Sequence, residues 1–170
     1  MTDYQKISFY NPTKGNLTFS QVVEEVFNYI KEKKNAFYEI VVGCDSSSGD
    51  RPVFPVALVI LRKGQGGRFF LTKVNYRSEK RFYSFRQRIL EEVYLSCQLA
   101  LDFKEKLEER VLQHSQPLDF QFEYIHADVG PSGQTREMIK EVVGLIKSNG
   151  FEAKIKPESF AASIVADRFT

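Results

Sequence analysis

The chain has 170 residues and a formal net charge of +2, which makes it about one domain long and able to bury a core without disulfides or metals. This mild charge excludes the strongly basic class of nucleic-acid-binding proteins, so a nucleic-acid partner would have to be recognised by a local cluster of charge. No apolar run approaches the roughly 18 residues of a membrane span and no signal-peptide core is present, so the sequence predicts a soluble, cytoplasmic, single-domain protein.

The first part of the chain predicts one helix followed by three strands. Thr18 with Gln21 three residues later resembles the capping box that begins a helix. Two long apolar runs follow, and they are typical of strands buried on both faces. Glycines then supply the turn of a hairpin. In chain order, the predicted elements are a helix over about 18–34 and strands over 38–44, 53–62 and 69–75.

The second part predicts a long helix and then two strand–helix units. Apolar residues recur at helical spacing from about Ser84 to Val111. Gly150 is placed to end the next helix, Pro157 stops the last strand, and Ser159 is placed to cap the final helix. The predicted elements are a helix over 84–111, a strand over 120–127, a helix around 139–146, a strand over 151–156 and a helix from about 160.

This order of elements predicts an α/β fold. It reads αβββαβαβα, and three meandering strands followed by two crossover units predict a mixed five-stranded sheet flanked by helices. Residues 1–37 are predicted to form an extension with an extra N-terminal helix, and residues 38–170 the core of the domain.

Two aspartates follow predicted strands. Asp45 stands at the end of the apolar run 38–44, and Asp128 at the end of the strand 120–127. Two such strand ends can meet at one metal ion. Each aspartate taken singly is ambiguous, because Asp before Ser or Gly is also a common turn residue.

Helical phase distinguishes two adjacent glutamates on the long helix. Glu92 falls on the apolar face, which is directed toward the sheet. Glu91 falls on a mostly polar row, which predicts that it solvates the outer face. A carboxylate on an apolar face needs compensation, and a divalent cation shared with other carboxylates provides it. An ion pair with Arg86 or Arg88 is the alternative.

Asp167 lies near the C-terminal end of the last predicted helix, where the helix dipole disfavours negative charge. Its helical phase directs it inward, although an ion pair with Arg168 is the alternative. A set of four carboxylates in this order suggests a metal-dependent nuclease. We refer to this set as the acidic cluster: Asp45, Glu92, Asp128 and Asp167.

The segments around the acidic cluster resemble the YkuK-type branch of the ribonuclease H-like superfamily. They are VGCDS at 42–46, EVYLS at 92–96, HADVG at 126–130 and KPESFAASIVADR at 156–168. The resemblance extends from about residue 38 to the C-terminus. It implies a ribonuclease H-like fold and a nuclease activity, with the acidic cluster at the metal-binding positions of the superfamily.

The resemblance further implies phosphodiester hydrolysis with two Mg²⁺ or Mn²⁺ ions about 4 Å apart. Asp45 would bridge the ions, Glu92 would complete the shell of one, and Asp128 and Asp167 would hold the other. An all-oxygen donor set suits Mg²⁺ and Mn²⁺ better than zinc. His126, two residues before Asp128, is a candidate proton shuttle or outer-shell contact, and a neutral histidine packed in the sheet is the alternative.

Residues 76–88, which we call the basic segment, combine cationic and aromatic side chains. This composition suits contact with a nucleic-acid backbone and stacking on bases, and a solvated loop is the alternative. Lys156, at the end of the last predicted strand, is a further candidate contact for a phosphate. The cations of the segment are Arg77, Lys80, Arg81, Arg86 and Arg88, and its aromatic residues are Tyr76, Phe82, Tyr83 and Phe85.

Two functions follow from these patterns. One is a metal-dependent nuclease that acts on RNA or DNA, and the other is a catalytically silent module that binds nucleic acid or protein on the same fold. The clustered carboxylates favour the nuclease, because a binding module has no need to tolerate clustered negative charge.

Overall fold

The computed structural model describes residues 1–170, and its centre is a mixed seven-stranded sheet. The strand order is β2-β1-β5-β4-β3-β6-β7. Neighbours β3, β4 and β5 are antiparallel, whereas β6 is parallel to β3 and β7 is parallel to β6. The predicted α/β fold, with its meander and crossover units, is confirmed. The strands are β1 (Phe9–Asn11), β2 (Gly15–Leu17), β3 (Tyr38–Cys44), β4 (Val53–Arg62), β5 (Gly67–Asn75), β6 (Gln121–His126) and β7 (Glu152–Lys154).

The three α-helices are α1 (Phe19–Glu32), α2 (Phe85–Leu112) and α3 (Ile139–Ser148). Both capping boxes are present: Thr18 and Gln21 exchange hydrogen bonds at the start of α1, and Ser84 and Gln87 do so at the start of α2. No helix combines the length and apolar composition needed to cross a membrane.

The five predicted strands are all present, and the N-terminal extension adds a hairpin that makes the sheet seven-stranded. Its strands β1 and β2 are antiparallel, and Tyr10 of β1 pairs with Leu71 of β5. Each of these strands has only three residues, which is too short for an alternating pattern to stand out in the sequence.

The prediction that Ser159 caps the last helix through its side chain is wrong. The main-chain carbonyl of Ser159 accepts hydrogen bonds from the amides of Ala162 and Ser163, while its hydroxyl is buried without a partner. The helix that follows is a short π-helix, Ala161–Ala166, and a 3₁₀ turn, Asp167–Phe169, completes it.

The two faces of the sheet are covered differently. The three α-helices contribute to a large apolar core that includes Val42 and Leu58, whereas the C-terminal π-helix packs on the opposite face against Val41 and Ala57. The π-helix approaches β3 closely at Gly43. A Cβ added to Gly43 would lie 2.5 Å from the amide nitrogen of Ala162 and 2.7 Å from the carbonyl carbon of Ala161. A glycine is therefore required where this helix crosses the strand.

We expect Gly43→Ala to lower the free energy of unfolding by about 1–3 kcal/mol, because the new methyl group overlaps backbone atoms that cannot move independently. Gly144→Ala is the matched control, since a Cβ at this position of α3 meets no atom within 4 Å. That variant should gain about 0.5–1 kcal/mol from helix propensity. Urea denaturation measures both, and equal stability of Gly43→Ala and wild type would contradict the close packing.

Candidate active site

Asp45 and Asp128 lie at the same edge of the sheet. β3 and β6 are parallel neighbours, with Gly43 opposite His126. Asp45 directly follows β3, and Asp128 follows β6 by two residues. Both carboxylates therefore stand beyond the carboxyl ends of adjacent strands, where open α/β sheets place their ligand sites.

Glu92 reaches this edge from α2, which packs across β3. The predicted inward orientation is confirmed, because Glu92 is only 4% exposed. The Ser46 hydroxyl donates a hydrogen bond to Glu92 Oε1 at 2.5 Å, and the Ser46 amide donates to Asp45 Oδ1 at 2.8 Å. Ser46 therefore connects the strand-end carboxylate to the helical one. No role of its own was predicted for Ser46 from the sequence, although its position directly after Asp45 was an available signal.

Asp167 approaches from the opposite face of the sheet. It follows the π-helix and is exposed, so its predicted inward direction is wrong. Its carboxyl group is nevertheless near enough to Asp45 to raise the pKa of that residue. Asp45 thus has Asp167 on one side and, through Ser46, Glu92 on the other. The four members of the acidic cluster therefore lie on separate elements around the end of β3.

Burial and mutual repulsion raise the pKa of two carboxyl groups in the cluster. The pKa of Asp45 rises to about 7, mainly because the carboxyl group is partly buried. The hydrogen bond from the Ser46 amide lowers this pKa, and the nearby Asp167 and Asp128 raise it. Burial also raises the pKa of Glu92 to about 8, with contributions from Asp45 and Asp128, while the hydrogen bond from Ser46 opposes the shift. Without a bound cation, these groups are therefore partly protonated near neutral pH.

The donor set of the cluster fits a hard divalent cation. Every member offers carboxylate oxygens, and Asp128 Oδ1 is buried and accepts no hydrogen bond, although Lys156 Nζ lies 3.1 Å from it. As the side chains stand, no three His, Cys, Asp or Glu side chains form a group that could hold a metal ion. Glu92 accepts a hydrogen bond from Ser46, whereas Asp128 forms an ion pair with Lys156. Metal binding by the acidic cluster therefore stays a prediction.

Glu91 does not solvate the outer face of α2, so that prediction is wrong. Its carboxylate accepts hydrogen bonds from the Tyr76 hydroxyl and from Lys80 Nζ, the latter at 2.8 Å. The row that appeared exposed is partly covered by the N-terminal extension, because the Tyr4 hydroxyl donates to the carbonyl of Leu95 at 2.9 Å. Glu91 anchors the basic segment to α2.

His126 is buried in the sheet. Its Nδ1 accepts a hydrogen bond from the amide of Ala161 at 3.1 Å, its Nε2 has no partner, and its ring meets Phe160 edge-on at a centroid distance of 4.6 Å. Burial lowers the pKa of His126 to about 4, which keeps it neutral. Neither ring nitrogen contacts Asp128, so the arrangement is that of a packed neutral histidine.

The aromatic residues of the basic segment differ in exposure. Phe82 is 3% exposed and packs against Phe54 at a centroid distance of 5.0 Å, and Tyr76 is tied to Glu91. Tyr83 is 76% exposed. Tyr76 and Phe85 are half-buried, so Tyr83 is the aromatic residue of the segment that is most available for stacking. A role of the segment in binding nucleic acid stays a prediction.

The cations proposed for nucleic acid have several partners within the protein. Surface ion pairs join Lys80 to Glu91 at 2.8 Å, Arg81 to Asp50 at 3.2 Å and Arg86 to Glu141 at 2.5 Å. Arg86 pairs with Glu141, and the guanidinium of Arg88 lies 3.5 Å from the carbonyl of Gly49. Glu92 therefore forms no ion pair with either of the two arginines considered above. Arg77 is exposed, and Lys156 lies beside Asp128.

We expect Glu92→Gln to remove a pH-dependent loss of stability from the metal-free protein. The pKa of Glu92 rises from its ordinary value of 4.5 to about 8, so the folded state retains a proton that the unfolded chain releases. The stability contributed by this group is therefore full below about pH 4.5 and falls as pH rises through about 8. The melting temperature in EDTA, measured across this range, should fall less for Glu92→Gln than for wild type.

Glu108→Gln makes the same chemical change at an exposed position of α2 and serves as the control. It should follow the wild-type pH profile. Parallel profiles for all three proteins would mean that Glu92 is not destabilised by its surroundings.

Comparison with known proteins agrees with the fold. The sequence profile of the ribonuclease H-like family matches residues 21–170. The chain is also 32% identical over 168 residues to the uncharacterized protein YkuK of Bacillus subtilis (strain 168), and the similarity covers 95% of this chain and 96% of that protein. The family match includes β3 to β7, α2, α3, most of α1 and the acidic cluster. The chain therefore belongs to the YkuK-type ribonuclease H-like family.

Proposed function

We propose that this protein is a divalent-metal-dependent nuclease that hydrolyses phosphodiester bonds of RNA or DNA. The main support is the convergence of the acidic cluster on the end of β3 from separate elements of the fold. Glu92 is buried and Asp45 and Asp128 are half-buried. Like charges that are partly removed from water destabilise the folded state unless cations compensate them. Membership of the ribonuclease H-like family makes nucleic acid the expected substrate.

Asp45, Glu92, Asp128 and Asp167 would hold two Mg²⁺ or Mn²⁺ ions, which supply an activated water and stabilise the leaving oxygen of the phosphodiester. Asp45 would be a central ligand, because its carboxyl group is near Asp167 and Ser46 connects it to Glu92. Ser46 positions two of the carboxylates at once. Lys156 provides a positive charge beside Asp128 for an approaching phosphate.

A catalytically silent module that binds nucleic acid or protein is the second candidate. The ion pair between Lys156 and Asp128 favours it, because Asp128 already has a cationic partner. The separation of the carboxylates as the side chains stand also favours it.

We expect Asp45→Asn to abolish both metal binding and cleavage. The substitution keeps the shape of the side chain and an oxygen that can accept from the Ser46 amide, but it removes the charge between Glu92 and Asp167. Calorimetric titration with Mn²⁺ or Mg²⁺ measures binding, and labelled single-stranded, duplex and hybrid RNA and DNA measure cleavage. Asp119→Asn, at an exposed position outside the cluster, should behave as wild type. If wild type binds no metal with nucleic acid present and cuts nothing, the binding-module function replaces the nuclease.

We expect Ser46→Ala to reduce metal affinity or cleavage about 10- to 100-fold, as for other residues that orient metal ligands. The variant loses the hydroxyl on Glu92 but keeps the amide on Asp45. Ser48→Ala, the same change at an exposed position two residues later, is the control. The same titrations and cleavage assays apply, and unchanged values for Ser46→Ala would remove Ser46 from the site.

A further inference from the structure

We propose that the exposed ring of Tyr83 is a platform on which an unpaired base of single-stranded nucleic acid stacks. The platform stands at the start of α2, the helix that carries Glu92. This inference rests on the proposed function for the class of ligand and extends it by naming the form of the strand and the residue that receives it.

The main chain holds Tyr83 firmly on both sides. Before it, Phe82 is buried in the core, and its amide donates to the carbonyl of Asp50 at 2.9 Å. The amide of Tyr83 itself donates to Gln87 Oε1 at 2.7 Å, next to the capping box that begins α2. The ring is nevertheless 76% exposed. An aromatic ring on an anchored backbone loses little conformational freedom when a base stacks on it.

The cations near Tyr83 suit a phosphate backbone. Arg77 is exposed and takes part in none of the ion pairs of the basic segment. Arg51, in the loop before β4, is also exposed. Arg81 pairs with Asp50 at the surface, where both side chains are about half exposed. Such an exposed pair contributes little to stability, so the guanidinium of Arg81 can exchange its partner for a phosphate.

The distance from Tyr83 to the acidic cluster suits a short length of strand. Ser84 caps α2 and Glu92 lies eight residues further along the same helix. At about 1.5 Å per residue this is about 12 Å along the axis, which about three or four nucleotides span at 3.4 Å each in a stacked strand. A strand with one base on Tyr83 would therefore need only a few further nucleotides to reach the cluster.

A single strand fits this surface better than a duplex does. A paired base is already stacked on both sides within a helix, so it presents no free face to a protein ring, whereas an unpaired base does. Because several cations of the segment are already paired, backbone attraction alone is modest and stacking makes the larger difference. If the ring of Tyr83 served to bind a protein, its removal would not change the preference for single strands over duplexes.

The test is fluorescence anisotropy with labelled single-stranded RNA, single-stranded DNA and the matching duplexes in EDTA, which prevents metal-dependent cleavage. We expect Tyr83→Ala to weaken single-strand binding about 10- to 100-fold. Tyr83→Phe, which keeps the ring, should bind as wild type does. Tyr94→Ala removes a different tyrosine, which lies within α2 and is 43% exposed, and this variant should also bind as wild type does. Melting temperatures verify that each variant is folded.

The proposal is overturned if Tyr83→Ala binds as tightly as wild type, if Tyr94→Ala loses as much affinity, if duplexes bind as tightly as single strands, or if wild type binds no nucleic acid. The nuclease proposal has a separate outcome. If Tyr83→Ala loses single-strand binding while wild type cuts nothing with Mn²⁺ or Mg²⁺, the platform stands and the nuclease function fails.

Discussion

The complete burial of β3 determines where the acidic residues meet. All seven residues of this strand are buried, with β4 and β6 on its edges, α2 across one face and the π-helix across the other. The first position after the strand that retains some exposure is Asp45. Elements that cover opposite faces of β3 therefore bring their own carboxylates, Glu92 and Asp167, to the same point. The lack of a side chain at Gly43 is what lets the π-helix lie close enough to do so.

The cluster destabilises the folded state in the absence of a cation. Burial raises the pKa of Asp45 and of Glu92, and the neighbouring carboxyl groups raise both pKa values further. Polar contacts relieve this only in part, through Ser46 on Glu92 and Lys156 beside Asp128. Clustered groups with shifted pKa values are concentrated at functional sites, and a structural role for this cluster alone would leave its unfavourable charge unexplained.

The two adjacent glutamates of α2 have separate roles, and the N-terminal extension makes this possible. Glu92 joins the acidic cluster, whereas Glu91 holds Tyr76 and Lys80 of the basic segment. Because the extension packs against α2 near Leu95, the helix is buried on more than its sheet-facing side. The basic segment is therefore a fixed surface beside the site, with Phe82 inside the protein and Tyr83 outside it.

The sequence by itself determined the long strands, the starts of α1 and α2, and the inward direction of Glu92, because hydrophobic periodicity and capping are local properties. The order of the elements and the positions of Asp45 and Asp128 after strands could be predicted from the sequence for the same reason. Only the tertiary structure decided the β1–β2 hairpin, the partners of Glu91 and Ser46, and the packing of His126. The strands β1 and β2 are too short to show a pattern, and the other features depend on contacts between separate elements, as between Tyr4 and Leu95, which are 91 positions apart. No local pattern records such a contact, since it forms only when the whole sheet and its helices are assembled.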